Sequence, residues 1–157
     1  MCPRCTNYAK YVYAILAIAI IATVSAIVPP YFMECPLTDK YEGNGDPSYK
    51  VEAYSDKLIQ LGTTVEVKIP EERITELLAA TSVKKGSGFN SLPLPCFELT
   101  IMYSNGDDYL LVIGKNGAIS VTPYSDFDNR TYWVDSSGDL YDELYIISLE
   151  NGGEAFE

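Results

Sequence analysis

Histidine is absent from all 157 residues of the chain. Its absence removes the commonest general base, and with it Ser-His-Asp and Cys-His nucleophilic sites and most catalytic zinc centres. Basic residues are also scarce, with 11 Lys and Arg against 22 Asp and Glu. Arg4 and Lys10 precede the first acidic residue, Glu34, so the part from Glu34 onward carries 9 − 22 = −13. Nucleic acids and anionic polymers need a basic footprint that this chain does not offer. Cations, basic peptides and neutral glycans stay open as partners. Internal repeats, coiled-coil heptads and low-complexity tracts are missing too, which excludes solenoids and fibrous architectures. Cys2 and Cys5 have the spacing of half a zinc site, but no second such pair follows. No catalytic, cofactor-binding or metal-binding residue is therefore assigned, and no cofactor is implied.

What the chain does have is a long apolar run. From Tyr11 to Met33 there is no charged residue. A bilayer core about 30 Å thick takes roughly 20 helical residues, so residues 11–33 read as a transmembrane anchor or uncleaved signal, with Pro29 and Pro30 ending the regular helix near Ile27. The other reading is a secretory signal cleaved at Val24-Ser25-Ala26, which would leave a secreted protein. In either case Arg4 and Lys10 hold the N-terminus in the cytoplasm and place everything from Glu34 onward outside the cell membrane. The expected layout is a cytoplasmic tail over 1–10, the single-pass segment 11–33, a linker over 34–47, a domain over 48–150 and a flexible tail over 151–157. Turn formers from Thr38 to Pro47 suggest the linker.

Within the domain, Ser48–Tyr54 and Thr63–Ile69 alternate apolar and polar residues, which predicts two half-buried strands. Pro70 opens a helix to Thr81, with Glu71 and Glu72 at its positive end and Ile74, Leu77 and Leu78 on one face. A Gly- and Pro-bearing stretch, Lys84–Pro95, reads as a long connection. Strands are predicted over Cys96–Tyr103, Asp108–Ile113, Ala118–Thr122 and Arg130–Asp135, the first three joined by Asn-Gly turns at Asn105-Gly106 and Asn116-Gly117. A final helix runs from an Asp139 N-cap, with Asp142 at its third position, to about Leu149. Leu140, Leu144 and Ile147 would dock it. Asp135 or Ser136 reads as turn chemistry rather than as a cation ligand. The fold class is α+β: an antiparallel β-meander with two helices packed on one face, preceded by one N-terminal transmembrane helix.

The wording Tyr103-Ser-Asn-Gly-Asp107, Gly114-Lys-Asn-Gly-Ala-Ile-Ser120, Thr131-Tyr-Trp-Val134 and Leu140-Tyr-Asp-Glu-Leu144 resembles uncharacterised extracytoplasmic domains of membrane-tethered proteins in Gram-positive bacteria. That resemblance implies a location and no activity.

Two thiols outside the membrane, Cys35 and Cys96, are candidates for a disulfide, with two free thiols as the alternative. Ten of the thirteen Tyr lie at or beyond position 31, and Tyr is enriched at recognition surfaces. Phe89, Tyr103, Tyr109, Tyr132 and Trp133 form the expected interaction surface, the last four across the exposed face of the sheet. The function expected is that of a membrane-anchored extracytoplasmic binding domain, without enzymatic activity, held by the lipid bilayer through residues 11–33 and open to a protein or neutral glycan. A carboxylate-dependent cell-envelope hydrolase and a structural accessory subunit of a larger membrane protein are the alternatives.

Overall fold

Apolar alternation decides which side of each strand turns inward, and strand register then lines those sides up. The computed structural model describes residues 11–24, 33–61, 64–87 and 94–151. The chain divides into two units, Met1–Met33 and Glu34–Glu157. In the first, residues 11–24 form a helix, α1, and every one of these residues is exposed. No helix among the described residues is long and apolar enough to cross a membrane. The remainder of the expected span, residues 25–32, lies outside the described residues, as do Cys2 and Cys5.

The second unit is an α+β fold built on one antiparallel sheet of eight strands. The strands are β1 (Cys35–Pro36), β2 (Ser48–Tyr54), β3 (Val65–Val67), β4 (Ser82–Lys85), β5 (Cys96–Met102), β6 (Tyr109–Gly114), β7 (Ala118–Pro123) and β8 (Thr131–Asp135). They lie in the order β1-β4-β8-β7-β6-β5-β2-β3, so β5 to β8 form the predicted meander. Among the described residues three α-helices belong to this unit: α2 (Asp56–Leu61), α3 (Glu71–Ala80) and α4 (Leu140–Glu150).

Two cross-strand rows make the floor of the core. Ala53, Phe97, Ile113 and Ile119 align in one, and Val51, Leu99, Leu111 and Val121 in the other. All eight are at most 2% exposed. Ile74 and Leu78 of α3 and Leu140, Tyr141 and Leu144 of α4 join the same buried cluster, so both helices cover the face that carries these rows. Phe97 meets the ring of Tyr141 at 5.1 Å. Each of these large side chains contributes about 2 kcal/mol by leaving water. The two Asn-Gly turns close as expected. Gly106 and Gly117 take φ of 82° and 76°, a region where an L side chain collides with its own backbone.

Three parts of the fold depart from the sequence reading. Residues 34–47 are not a linker: they hold β1, a short 3-10 turn over Leu37–Lys40, and the core side chains Leu37 and Tyr41. The Leu37 amide donates to the Thr81 carbonyl at 2.9 Å. The turn formers that suggest a spacer here instead let a strap fold over the core. Secondly, Lys84 and Lys85 lie in β4, paired with Val134 and Trp133 of β8, rather than in a loop. Finally, α2 fills the connection between β2 and β3. The edge strands β1 and β3 have only two and three residues, which leaves little unpaired backbone for another chain to pair with.

Sheet order also corrects the disulfide. Cys35 and Cys96 are free thiols, on strands five places apart in the sheet. At about 4.8 Å per strand that is roughly 24 Å, far beyond the reach of a disulfide. Cys35 donates to the Val83 carbonyl at 3.4 Å. Cys96 has no exposed surface, and burial first, then the nearby Glu98 carboxylate, pushes its thiol up to about 12. Only the thiolate alkylates. Cys96 in the native protein is therefore expected to resist iodoacetamide at pH 8 and to react fully in guanidinium, as read by peptide mass mapping. Labelling of native Cys96 at the rate of the unfolded chain would contradict this burial.

Candidate functional site

Three segments meet at one end of the sheet. The β5–β6 turn and the β7–β8 loop lie there because the meander returns every second connection to the same end. The strap arrives there because β2 starts with Ser48 opposite Met102, the last residue of β5. Hydrogen bonds tie the three together: Tyr124 N–H to the Asp108 carbonyl at 2.8 Å, the Ser104 hydroxyl to the Asn44 carbonyl at 3.3 Å, and the Tyr109 hydroxyl to the Glu42 carbonyl at 3.0 Å. Between strap and turn lies an open cleft of about 490 Å³, lined by Tyr41, Glu42, Gly43, Asn44, Tyr103 and Asp107.

The cleft is built on tyrosine. Tyr49, Tyr103 and Tyr109 are partly buried residues packed against the core, and Tyr41, at 6% exposure, is almost wholly enclosed. The rings of Tyr41 and Tyr109 stand 6.2 Å apart at 53°, forming a corner rather than a stack. Two of the four hydroxyls are tied down. Tyr109 donates to Glu42, and Tyr49 shares a 3.2 Å hydrogen bond with Thr75 of α3. The other two, on Tyr41 and Tyr103, make no hydrogen bond among the described residues, and both side chains line the cleft.

Burial raises the pKa of both free phenols, with Tyr49 and Tyr103 adding to the effect on Tyr41, and Tyr49 and Tyr109 to that on Tyr103. Both therefore stay protonated at neutral pH, able to donate as well as accept. Glu42, Asp107 and the Asn44 amide supply the remaining polar lining, and no lysine or arginine lines the cleft among the described residues.

Gly43 holds the wall in place. A Cβ built on it would clash with the Cγ and both Cδ atoms of the Tyr103 ring, so strap backbone and ring face are in closer contact than any other residue permits. The Tyr103 backbone is fixed from the other side, its N–H donating to Asp108 Oδ1 at 3.1 Å. Asn105 braces the turn by accepting from the Asp107 amide at 3.2 Å and donating to the Asp107 carboxylate. Beside the cleft, at the same end, Tyr124 and Phe127 form an edge-to-face pair at 5.4 Å and stay about half exposed.

The residues anticipated as an interaction surface do not share one face. Tyr103 lines the cleft and Tyr109 supports it from below. Trp133 lies in register with Ile119 on the core face, its ring under Lys40 Nζ at 4.3 Å and its indole N–H donated to Thr131 at 2.9 Å. Tyr132, opposite Ser120, points to the other side of the sheet. Phe89 is outside the described residues. Sequence reasoning does not single out Tyr41, Glu42 or Asn44, and reads Asp107 as part of a hairpin turn. Tyr49 carries a signal, since it alternates with Val51 and Ala53.

On the far face, Glu66, Glu52 and Glu98 stand side by side across β3, β2 and β5. Lys50 pairs with Glu52 at 3.1 Å, and Tyr54 is held protonated by burial and by its hydrogen bond to Glu98. Among the described residues no group of three or more His, Cys, Asp or Glu could hold a metal ion. Compared with known proteins, the chain matches no family model, no curated protein and no solved structure.

Proposed function

We propose that the chain is a membrane-tethered extracytoplasmic binding domain whose ligand docks in the cleft between the strap and the β5–β6 turn. The observation that carries this reading is the cleft itself: about 490 Å³, walled by tyrosines, with two phenol hydroxyls that have no partner among the described residues. Ligand sites typically combine such aromatic walls with a few convergent polar groups. Pre-tied walls also reduce the ordering cost of binding.

The tether rests on α1. An apolar helix exposed on every side has no core to bury it and suits a lipid surround. Residues 11–24 reach about 21 Å at 1.5 Å per residue, against a bilayer core of about 30 Å. Within the folded unit, Cys35 lies level with Val83 and Asp135, at the end of the sheet opposite the cleft. The first strand of this unit and its binding end are thereby separated by the length of the strands.

Two measurements test the two halves. Carbonate-washed membranes should retain the full chain and lose a variant lacking residues 11–33; release of the full chain, or an intact mass starting at Ile27, would overturn the tether. For the site, ligand-observed NMR with a panel of amines, sugars and short peptides should give hits that Tyr103→Ala abolishes and Tyr132→Ala, on the other face, leaves alone. Hits insensitive to Tyr103→Ala would place binding elsewhere.

A further inference from the structure

Building on that reading of the cleft as a binding site, we infer that its ligand is cationic: an ammonium or guanidinium group, carried by a lysine- or arginine-bearing peptide or by a free polyamine. Three independent features of the cleft meet in this choice. Its polar rim is dominated by acceptors, because two carboxylates, Glu42 and Asp107, line it and no basic residue does among the described residues. A ligand with several N–H donors and a positive charge complements that rim in hydrogen bonding and in charge, whereas a polyol complements it in hydrogen bonding alone.

The walls are tyrosine rings, whose electron-rich faces attract a cation within about 6 Å of the centroid. Of the tyrosines here, Tyr103 both lines the cleft and is only partly buried, so part of its ring is open to a ligand. The chain uses this chemistry internally, with Lys40 Nζ 4.3 Å from the Trp133 ring centre. The third feature is the Tyr41 hydroxyl. It belongs to a side chain only 6% exposed, it lines the cleft, and among the described residues it has no hydrogen-bond partner. Its oxygen is within reach of solvent and open to a ligand that supplies a partner. An ammonium donating to the phenol oxygen supplies it, with the carboxylates balancing the charge at the rim.

The domain's field works in the same direction. A net charge of −13 from Glu34 onward raises the local concentration of cations and speeds their encounter, and salt screens both effects. Overall charge cannot by itself select the cleft, so the test separates the two contributions.

The full chain in phosphatidylcholine nanodiscs is titrated calorimetrically with four probes: a Lys/Arg hexapeptide, the same peptide with its lysines acetylated and arginines replaced by glutamine, spermidine, and a neutral oligosaccharide. The basic peptide or spermidine is expected to bind at least tenfold more tightly than the neutral peptide and the oligosaccharide, and the tighter of the two identifies the source of the cation. Glu42→Gln combined with Asp107→Asn should weaken that binding at least tenfold, and Tyr41→Phe about threefold to fivefold. Glu52→Gln, a charge removed from the opposite face, should change it less than twofold.

Equal loss with Glu52→Gln would show bulk charge rather than a site and overturn the inference. Preferential binding of the oligosaccharide, abolished by Tyr103→Ala, would overturn the cationic ligand while leaving the cleft as a binding site. Binding of no probe at a site sensitive to Tyr103→Ala would overturn both.

Discussion

Asp135→Ala is expected to lower the unfolding free energy by about 3 kcal/mol. Asp135 is 5% exposed and ends β8 on the core face, opposite Val83. Its Oδ2 accepts from the Leu140 amide at 2.8 Å, at the start of α4. Its Oδ1 accepts from the amide and hydroxyl of Ser137, at 3.1 and 3.0 Å. Alanine would strand the Leu140 amide in a buried setting and remove a negative charge from the positive end of the helix. A helix cap alone is worth about 1 kcal/mol, and the two further hydrogen bonds to a charged group raise the sum.

The loss should register in urea unfolding as a lower midpoint with unchanged slope, or as a fall of about 10 °C in Tm for a domain of this size. Asn, which keeps one acceptor oxygen but presents a donor where the other stood, should recover part of the difference. A loss below about 0.5 kcal/mol for alanine, the range of ordinary surface changes, would mean that α4 is held by packing alone.

Asp135 also shows where sequence pattern stops being informative. The periodic parts of the chain were legible: β2, the meander from β5 to β8, α3 and α4 all follow from alternation, helical spacing and Asn-Gly turns, because those signals are local. The cap on α4 was legible only as a position. Asp139 occupies it, yet its side chain makes no capping bond. The bond comes from Asp135, which depends on how β8 ends against the core.

The strands that pattern misses are similarly non-local. β4 has one apolar residue in four, Val83, between a serine and two lysines, and exists because β8 pairs with it. β1 has two residues and exists because β4 pairs with it. The candidate site suffers most from this. Tyr41, Glu42 and Asn44 lie in a stretch whose composition reads as a spacer, and only the strap's passage over the core brings them to Tyr103 and Asp107. Faces of the sheet were legible for single strands, since alternation places Tyr132 and Trp133 on opposite sides. Which side the helices would cover was not.

The second large effect is expected at Gly43. Gly43→Ala drives a methyl group into the Tyr103 ring, and a ring cannot absorb that by turning its far end, because the clash is with its Cγ and Cδ atoms. Either the ring leaves its rotamer or the strap lifts. Overpacking of this kind costs about 1–3 kcal/mol. If the strap lifts, the Tyr109 hydroxyl loses the Glu42 carbonyl and Ser104 loses the Asn44 carbonyl, which carries the damage directly into the cleft.

The cause can be isolated with a double-mutant cycle. Tyr103→Ala removes the obstacle, so Gly43→Ala should be nearly neutral in that background, and the coupling energy between the two positions should equal most of the single-variant loss. A Gly43→Ala cost that persists without the Tyr103 ring would assign it to the backbone rather than to the contact. In the NMR panel, Gly43→Ala should also abolish the hits that Tyr103→Ala abolishes, since the same ring contact fixes both the stability of the strap and the shape of the cleft.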